Sequence, residues 1–408
     1  VPILREKCFG CHNPDKKSGG LILNNFTSLM AGGGSGVIIE PGNPDESTLY
    51  LVVTHQEQPF MPPMADKLPQ AQLDIIRKWI EGGALENTGS KALASKKPKV
   101  DISLKSAPTK KPDGPPPMPQ NLLLEPVVRT ARSSAITAIA TSPWSPMVAV
   151  AGQKQVLLYQ SETLEFLGVL PFPEGLPTVL KFSRNGSLLL AAGGRGAKAG
   201  RVVVWNVVTG ERVIEVGDEF DTVLAADISA DQTRIALGGP SKMIRIYTTA
   251  DGQLEHEIKK HTDWVTALEF SPDGVLIATG DRNGGLFVWE ANTAREYLNL
   301  RAHSATITDV SWRSDSNVLA SCSEDTTIRL WEMENGGNIK GWGAHGGGVA
   351  SVEFTHDGRI ASCGRDRVTK TWDQNGAQQR AFDAFGDLAL SVTFNHDGSR
   401  VIAGDWTG

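Results

Sequence analysis

The sequence predicts three parts: a small all-α domain over residues 1–87, a basic proline-rich linker over 88–120, and an all-β repeat domain over 121–408. Three observations carry this. Apolar residues recur at helical spacing in the first stretch, and lysine and proline displace them in the second. In the third, a strand-ending aromatic returns at Trp205, Tyr247, Trp289, Trp331 and Trp372, with spacings of 42, 42, 42 and 41 residues.

The first part opens on Cys8-Phe9-Gly10-Cys11-His12. Two cysteines three positions apart, followed at once by histidine, form the attachment pattern of a c-type haem. On a helical turn both thiols project to one side and can each add across a porphyrin vinyl group. The adjacent imidazole can then bind iron as the proximal ligand. A zinc site would need a second ligand pair, and the other cysteines, Cys322 and Cys363, lie far off in the repeat region. A thioredoxin-like pair would sit in a βαβ context that is absent here. Cofactor-binding by Cys8 and Cys11 and iron ligation by His12 are therefore the expectation, with one covalent haem c.

A sixth iron ligand is expected in Met61-Pro62-Pro63-Met64. Prolines beside a methionine deny the backbone helix or ladder bonds and suit a loop laid across a haem face. Met61 is preferred, with Met64 or His55 as alternatives; His55 would give a bis-histidine site of lower potential. Around these residues, Pro2 to Arg5 form a short helical lead-in, and Pro44-Asp45-Glu46-Ser47 is a helix-start signal before Leu49, Leu51, Val52 and Val53. After Pro69, Leu73, Ile76, Trp79 and Ile80 make one stripe of an amphipathic helix stopped by Gly82-Gly83. A domain this small buries little surface of its own, and a held haem supplies missing core.

The run Ile3-Leu4-Arg5 through His12, with Ser18-Gly19-Gly20-Leu21, Pro41-Gly42-Asn43-Pro44-Asp45-Glu46-Ser47, Met61-Pro62-Pro63 and Leu73 to Ile80, resembles the planctomycete-type cytochrome c domain family. The resemblance covers nearly all of residues 1–87. It implies thioether attachment at Cys8 and Cys11, His12 as proximal ligand and Met61 as distal ligand.

The linker holds seven lysines between Lys91 and Lys111 and the run Pro115-Pro116-Pro117, which reads as a solvated, partly extended tether. Beyond it, each recurring aromatic ends a β-branched run such as Ile244-Arg245-Ile246 or Ile328-Arg329-Leu330. A small-residue strand precedes it, as in Ala278-Thr279-Gly280 and Ala320-Ser321-Cys322, and a hairpin signal such as Ser271-Pro272-Asp273-Gly274 comes earlier. The pattern resembles the WD-repeat β-propeller family, with four strands per blade. His303, Ser321, Asp325 and Trp331 match that family's buried hydrogen-bond set, as do His345, Ser362, Asp366 and Trp372. In the blade before, His261, Thr279 and Trp289 match, with Asn283 standing where the aspartate is expected. Because these groups recur once per blade, they read as internal pairing and not as a hydrolase triad.

The blade count implies seven, the last incomplete: it begins near Leu390 and the chain reaches Gly408 with no third-strand tryptophan. The apolar segment Leu122 to Val128 is expected to supply that blade's outer strand and close the ring, and the native chain is expected to continue past residue 408. Cys322 and Cys363 occupy equivalent positions in adjacent blades, too far apart for a disulfide, and read as reduced packing residues.

The formal charge of −6 argues against nucleic acid as partner, and no run of 18 or more apolar residues offers a transmembrane segment. Covalent haem attachment of this kind takes place outside a bacterial inner membrane, so the chain is expected to be periplasmic or otherwise exported, with Val1 following a removed leader. Three functions fit. The first is an electron carrier whose propeller docks a redox partner protein or a multi-subunit complex. The second is a scaffold in which haem is secondary. The third is an oxidoreductase, by analogy with nitrite reductases that join a cytochrome c domain to a haem-bearing propeller. The third needs propeller ligands, and His261, His303 and His345 are already committed to the blade sets. No catalytic residue is assigned.

Overall fold

The computed structural model describes residues 2–34, 37–63, 65–86, 114–131, 133–301 and 303–408, with the side chains of Pro2 and Glu46 left out. Met64 and most of the expected linker fall outside the described residues. The chain divides into two compact units, one helical and N-terminal, the other all-β.

In the helical unit α1 (Pro2–Lys7), α2 (Phe26–Ala31), α3 (Thr48–Val53) and α4 (Gln70–Glu81) enclose one core. The amphipathic stripe behaves as its spacing requires: Leu73, Ile76 and Ile80 are buried and Trp79 is half-buried. Burying three such side chains contributes about 5–8 kcal/mol. Gly83, at φ 81°, ends α4 in the left-handed region that a glycine adopts without strain. The start signal at Pro44 yields something different from the expected helix. Pro44–Glu46 is a single 3₁₀ turn, and α3 begins only at Thr48. The reason is Ser47, whose Oγ accepts from the Glu40 amide at 2.9 Å and donates to the Asn43 carbonyl at 2.8 Å. Those bonds fold the chain back before the helix can begin. Leu49, Tyr50, Val52 and Val53 then face the core.

The all-β unit contains six four-stranded antiparallel sheets, each built from consecutive strands, and one two-stranded sheet. They are the blades of a propeller, spanning 139–171, 176–219, 225–258, 265–300, 307–343 and 349–381, followed by the pair Ala389–Phe394 and Val401–Asp405. The described residues thus show six blades and a two-stranded remainder where seven blades were expected. The remainder stands between the sixth blade and the first. Thr393 Oγ1 donates to Glu353 of blade six at 3.1 Å and shares a 3.0 Å hydrogen bond with Thr141 Oγ1 of blade one. The Ile136 amide also donates to the Asp405 carbonyl at 3.1 Å.

The segment expected to close the ring lies elsewhere. Leu123 forms a bridge to Val169 on the outer strand of blade one, with Val169 N donating to Leu123 O at 2.8 Å. Gly168 permits this approach: a Cβ there would stand 2.5 Å from Leu122 Cβ. The segment covers the outer edge of the first blade and protects it from stray pairing.

Candidate functional site

Residues Cys8 to His12 lie on one helical turn continuing α1. Cys8 N donates to Leu4 O at 2.9 Å, Cys11 N to Cys8 O at 3.2 Å and His12 N to Cys8 O at 3.1 Å. The chain beyond is pinned to this turn by Leu23 N donating to His12 O at 2.9 Å and by Asn13, whose side chain donates to Phe9 O at 2.8 Å. Cys8 is half-buried and Cys11 exposed, and both are free thiols. Burial pushes the Cys8 thiol up, which favours its neutral form.

Cys8, Phe9 and Met61 all pack against the same apolar core. Met61 is held in place by its amide, which donates to Val52 O at the end of α3 at 3.0 Å. His55 follows α3 at φ 58° with its ring stacked on Phe60 at a centroid distance of 4.9 Å. Two ring nitrogens in this small unit, His12 Nδ1 and His55 Nε2, are buried without a hydrogen-bond partner. Each such orphan costs about 1–3 kcal/mol. The donor set fits a haem: two thiols on one turn, an adjacent imidazole, and a thioether or second imidazole on the same apolar core.

In the all-β unit three blades carry the expected polar sets. His303 Nδ1 meets Asp325 Oδ2 at 2.8 Å and its Nε2 meets Ser321 Oγ at 2.8 Å, while Trp331 Nε1 donates to that hydroxyl at 2.8 Å. His345, Asp366, Ser362 and Trp372 repeat this at 2.8, 2.7 and 2.8 Å. The polarity is fixed by chemistry. A carboxylate only accepts, so Nδ1 carries the proton, Nε2 accepts from serine, and serine accepts from tryptophan. Burial lowers the pKa of His303 and of His345 and keeps both rings neutral. Burial alone would raise the pKa of Asp325, but hydrogen bonds from Thr327 and His303 hold it at about 2.

The blade before corrects the sequence reading. The acid is Asp281 and not a residue at position 283: Asp281 Oδ2 meets His261 Nδ1 at 2.9 Å, and Thr279 Oγ1 completes the set at 2.8 Å with both His261 and Trp289. Asp281 sits two residues earlier than its counterparts yet reaches the same ring. Asn283 instead donates to Thr262 Oγ1 at 3.1 Å.

With this geometry, the comparisons agree on both halves. Residues 8–65 match the family described as Planctomycete cytochrome C, and residues 252–290, 295–332 and 336–373 match WD domain, G-beta repeat. The chain joins a planctomycete-type cytochrome c domain to a WD-repeat propeller. No curated protein matches it.

The propeller also holds a ring of residues that the sequence reading missed. At one equivalent position on each inner strand a polar side chain lines the central cavity, of about 390 Å³: Thr141, Lys181, Asp227, Glu269, Ser311, Glu353 and Thr393. Lys181 Nζ meets Glu269 Oε2 at 3.4 Å, and Arg184 donates to Glu269 Oε1 at 3.2 Å. Asp309 adds a fourth carboxylate and accepts from Ser351 Oγ at 2.8 Å. Four acids thus accompany Lys181 and Arg184, and Asp357, Asp397 and Arg359 also line the cavity. Burial pushes Glu353 up to about 7 and raises Asp227 and Asp309 as well, against the pull of Lys181. Burial opposes the Lys181 charge, but Glu269 and the other acids outweigh it and raise its pKa. A signal was present in the sequence: these positions recur every 40–46 residues, and six of the seven precede a large apolar residue.

Proposed function

We propose that this cytochrome–propeller chain is an exported, periplasmic electron carrier with one covalent haem, and that its propeller docks the haem domain onto a redox partner protein or a multi-subunit complex. The observation that carries the reading is the helical turn of residues 8–12, with two free thiols and a histidine whose buried Nδ1 lacks a partner. In this reading Cys8 and Cys11 form the thioethers, His12 is the proximal iron ligand, and Met61 is the distal one, with Met64 or His55 as alternatives. Bound haem c supplies a one-electron iron couple. The chain's own part would be to exclude water with the apolar core around Cys8 and Met61 and to supply both protein ligands of the iron. No position is then left for substrate, so the protein carries electrons and is not itself the catalyst.

The domain boundaries in this reading are 1–87 for the cytochrome and 121–408 for the propeller, with a basic tether of 88–120. The two-stranded sheet is the inner half of a seventh blade. Among the described residues no helix is long and apolar enough to cross a membrane.

Pyridine haemochrome spectra with intact-mass measurement test the reading. One haem mass retained after denaturation in acidified organic solvent is expected. A protein that releases its colour, or never acquires any, would transfer the function to the propeller as a scaffold. That second reading is favoured by the three complete polar sets and the closed contacts of the ring.

A further inference from the structure

The seam where the propeller closes brings together two turns that are distant in sequence. Glu162 lies in the turn after the third strand of blade one, and His396 and Asp397 lie in the turn of the two-stranded sheet. Arg400 Nη1 donates to the Glu162 carbonyl across the seam at 2.9 Å and fixes the two turns against each other. One ligand atom each from Glu162, His396 and Asp397 lies within 4.8 Å of the other two. Tetrahedral ligands at about 2.0–2.2 Å from a zinc-sized cation lie about 3.3–3.6 Å apart, so side-chain rotations that draw the three atoms in by about 1 Å close the set.

Two further observations point to a cation. His396 Nδ1 is buried and has no hydrogen-bond partner, a cost that cation binding at that ring offsets. His396 and Asp397 also line the central cavity, whose wall carries six carboxylates, Asp397 among them, against Lys181, Arg184 and Arg359. A cavity with low-dielectric walls and excess negative charge concentrates cations at its mouth.

We propose that Glu162, His396 and Asp397 form a divalent metal site that clamps the closing seam of the propeller. One imidazole and two carboxylates select a borderline transition-metal ion such as Zn²⁺ over Mg²⁺, and three protein ligands leave a position for water. The role is structural: the ion binds the closed ring and not an opened one, so it stabilises closure by mass action. This inference is independent of the haem reading.

The test uses the full chain as purified, stripped with EDTA, in calorimetric titration with Zn²⁺ and in thermal melts. Wild type should bind one more equivalent of Zn²⁺ than His396→Gln. Its melting temperature should rise by about 5 °C at a hundredfold excess over Kd, and Mg²⁺ should give no rise. Glu162→Gln, at an exposed position in the first blade, should lose at least tenfold in affinity while melting as wild type does in EDTA. Unchanged Zn²⁺ stoichiometry in His396→Gln, or no Zn²⁺-dependent rise in wild type, overturns the site. Full affinity in Glu162→Gln overturns the clamp across the seam.

Discussion

Replacing Asp281 should unfold the propeller far more readily than replacing Asn283, although only the latter occupies the position that the repeat assigns to the acid. Asp281 is almost fully buried, with its side chain 1 % exposed, and accepts from His261 Nδ1 at 2.9 Å, Asn283 N at 3.0 Å and Gly285 N at 2.8 Å. Asp281→Ala strands a buried imidazole and two amides. Leaving three buried polar groups unsatisfied, at about 1–3 kcal/mol each, costs at least about 3–5 kcal/mol in all. For a unit of this size that corresponds to a fall in melting temperature of about 6–15 °C. Asn283→Ala forfeits one bond to Thr262 at the surface and should cost about 0.5 kcal/mol or less. Urea titration followed by far-UV circular dichroism, with a double-mutant cycle against His261→Ala, reads both. The cycle should return a coupling of about 1–3 kcal/mol for Asp281 and none for Asn283. Equal costs for the two single variants, or coupling of His261 to Asn283, would refute the assignment.

Other outcomes follow from the same structure. Glu353 is raised to about 7 by burial, so the folded state binds its proton more tightly than the unfolded chain does. Its penalty is absent at low pH and grows as pH rises from about 4.5 to 7. Glu353→Gln should therefore gain up to about 3 kcal/mol at pH 8 and nothing at pH 4, measured by chemical denaturation; a gain independent of pH would contradict this. Burial also raises Cys322 and Cys363 far above an ordinary thiol. In haem-free native protein, maleimide should label Cys11 first and Cys8 more slowly, and the propeller pair only after unfolding, as read by peptide mass spectrometry. If Met61 is the distal ligand, Met61→Ala should abolish the near-infrared sulfur-to-iron band of the oxidised protein, whereas Met64→Ala leaves it. Persistence of the band in Met61→Ala would move the role to Met64, and its absence from wild type would point to His55.

Much of this was legible because local chemistry dominated. Cys8 to His12 needs only a helical turn, and α1 delivers it. The polar sets of His303 and His345 repeat at one spacing, so the blades declare themselves. Where reading failed, a non-local contact had decided the outcome. Ser47 bonds back to Glu40, seven residues earlier, and converts a helix start into a 3₁₀ turn. Asp281 lies off the repeat position, and only the fold shows that its carboxylate reaches His261. Leu122 to Val128 carry an edge-strand pattern, but nothing in their composition says which edge they cover. The glycine at 168 chose blade one. Polar residues on inner strands look like interruptions of an apolar run until the ring places them side by side.

The seam between Thr141 and Thr393 has a consequence for the chain as it is made. These two residues are separated by 252 positions, whereas each blade pairs only strands adjacent in sequence. At about 5–20 residues per second, a ribosome takes about 13–50 s to travel from one side of the seam to the other. During that interval the first blade has pairing partners but no neighbour on one flank. The apolar side chain of Ile139, which in the finished ring lies against Gly404 of the two-stranded sheet, waits uncovered. A growing chain of this architecture therefore passes through a long-lived open crescent, and premature encounters between two such crescents are its natural route to misassembly. Among the described residues, ring closure joins parts of the propeller that lie far apart in sequence, and it guards the strand of the first blade that is made earliest.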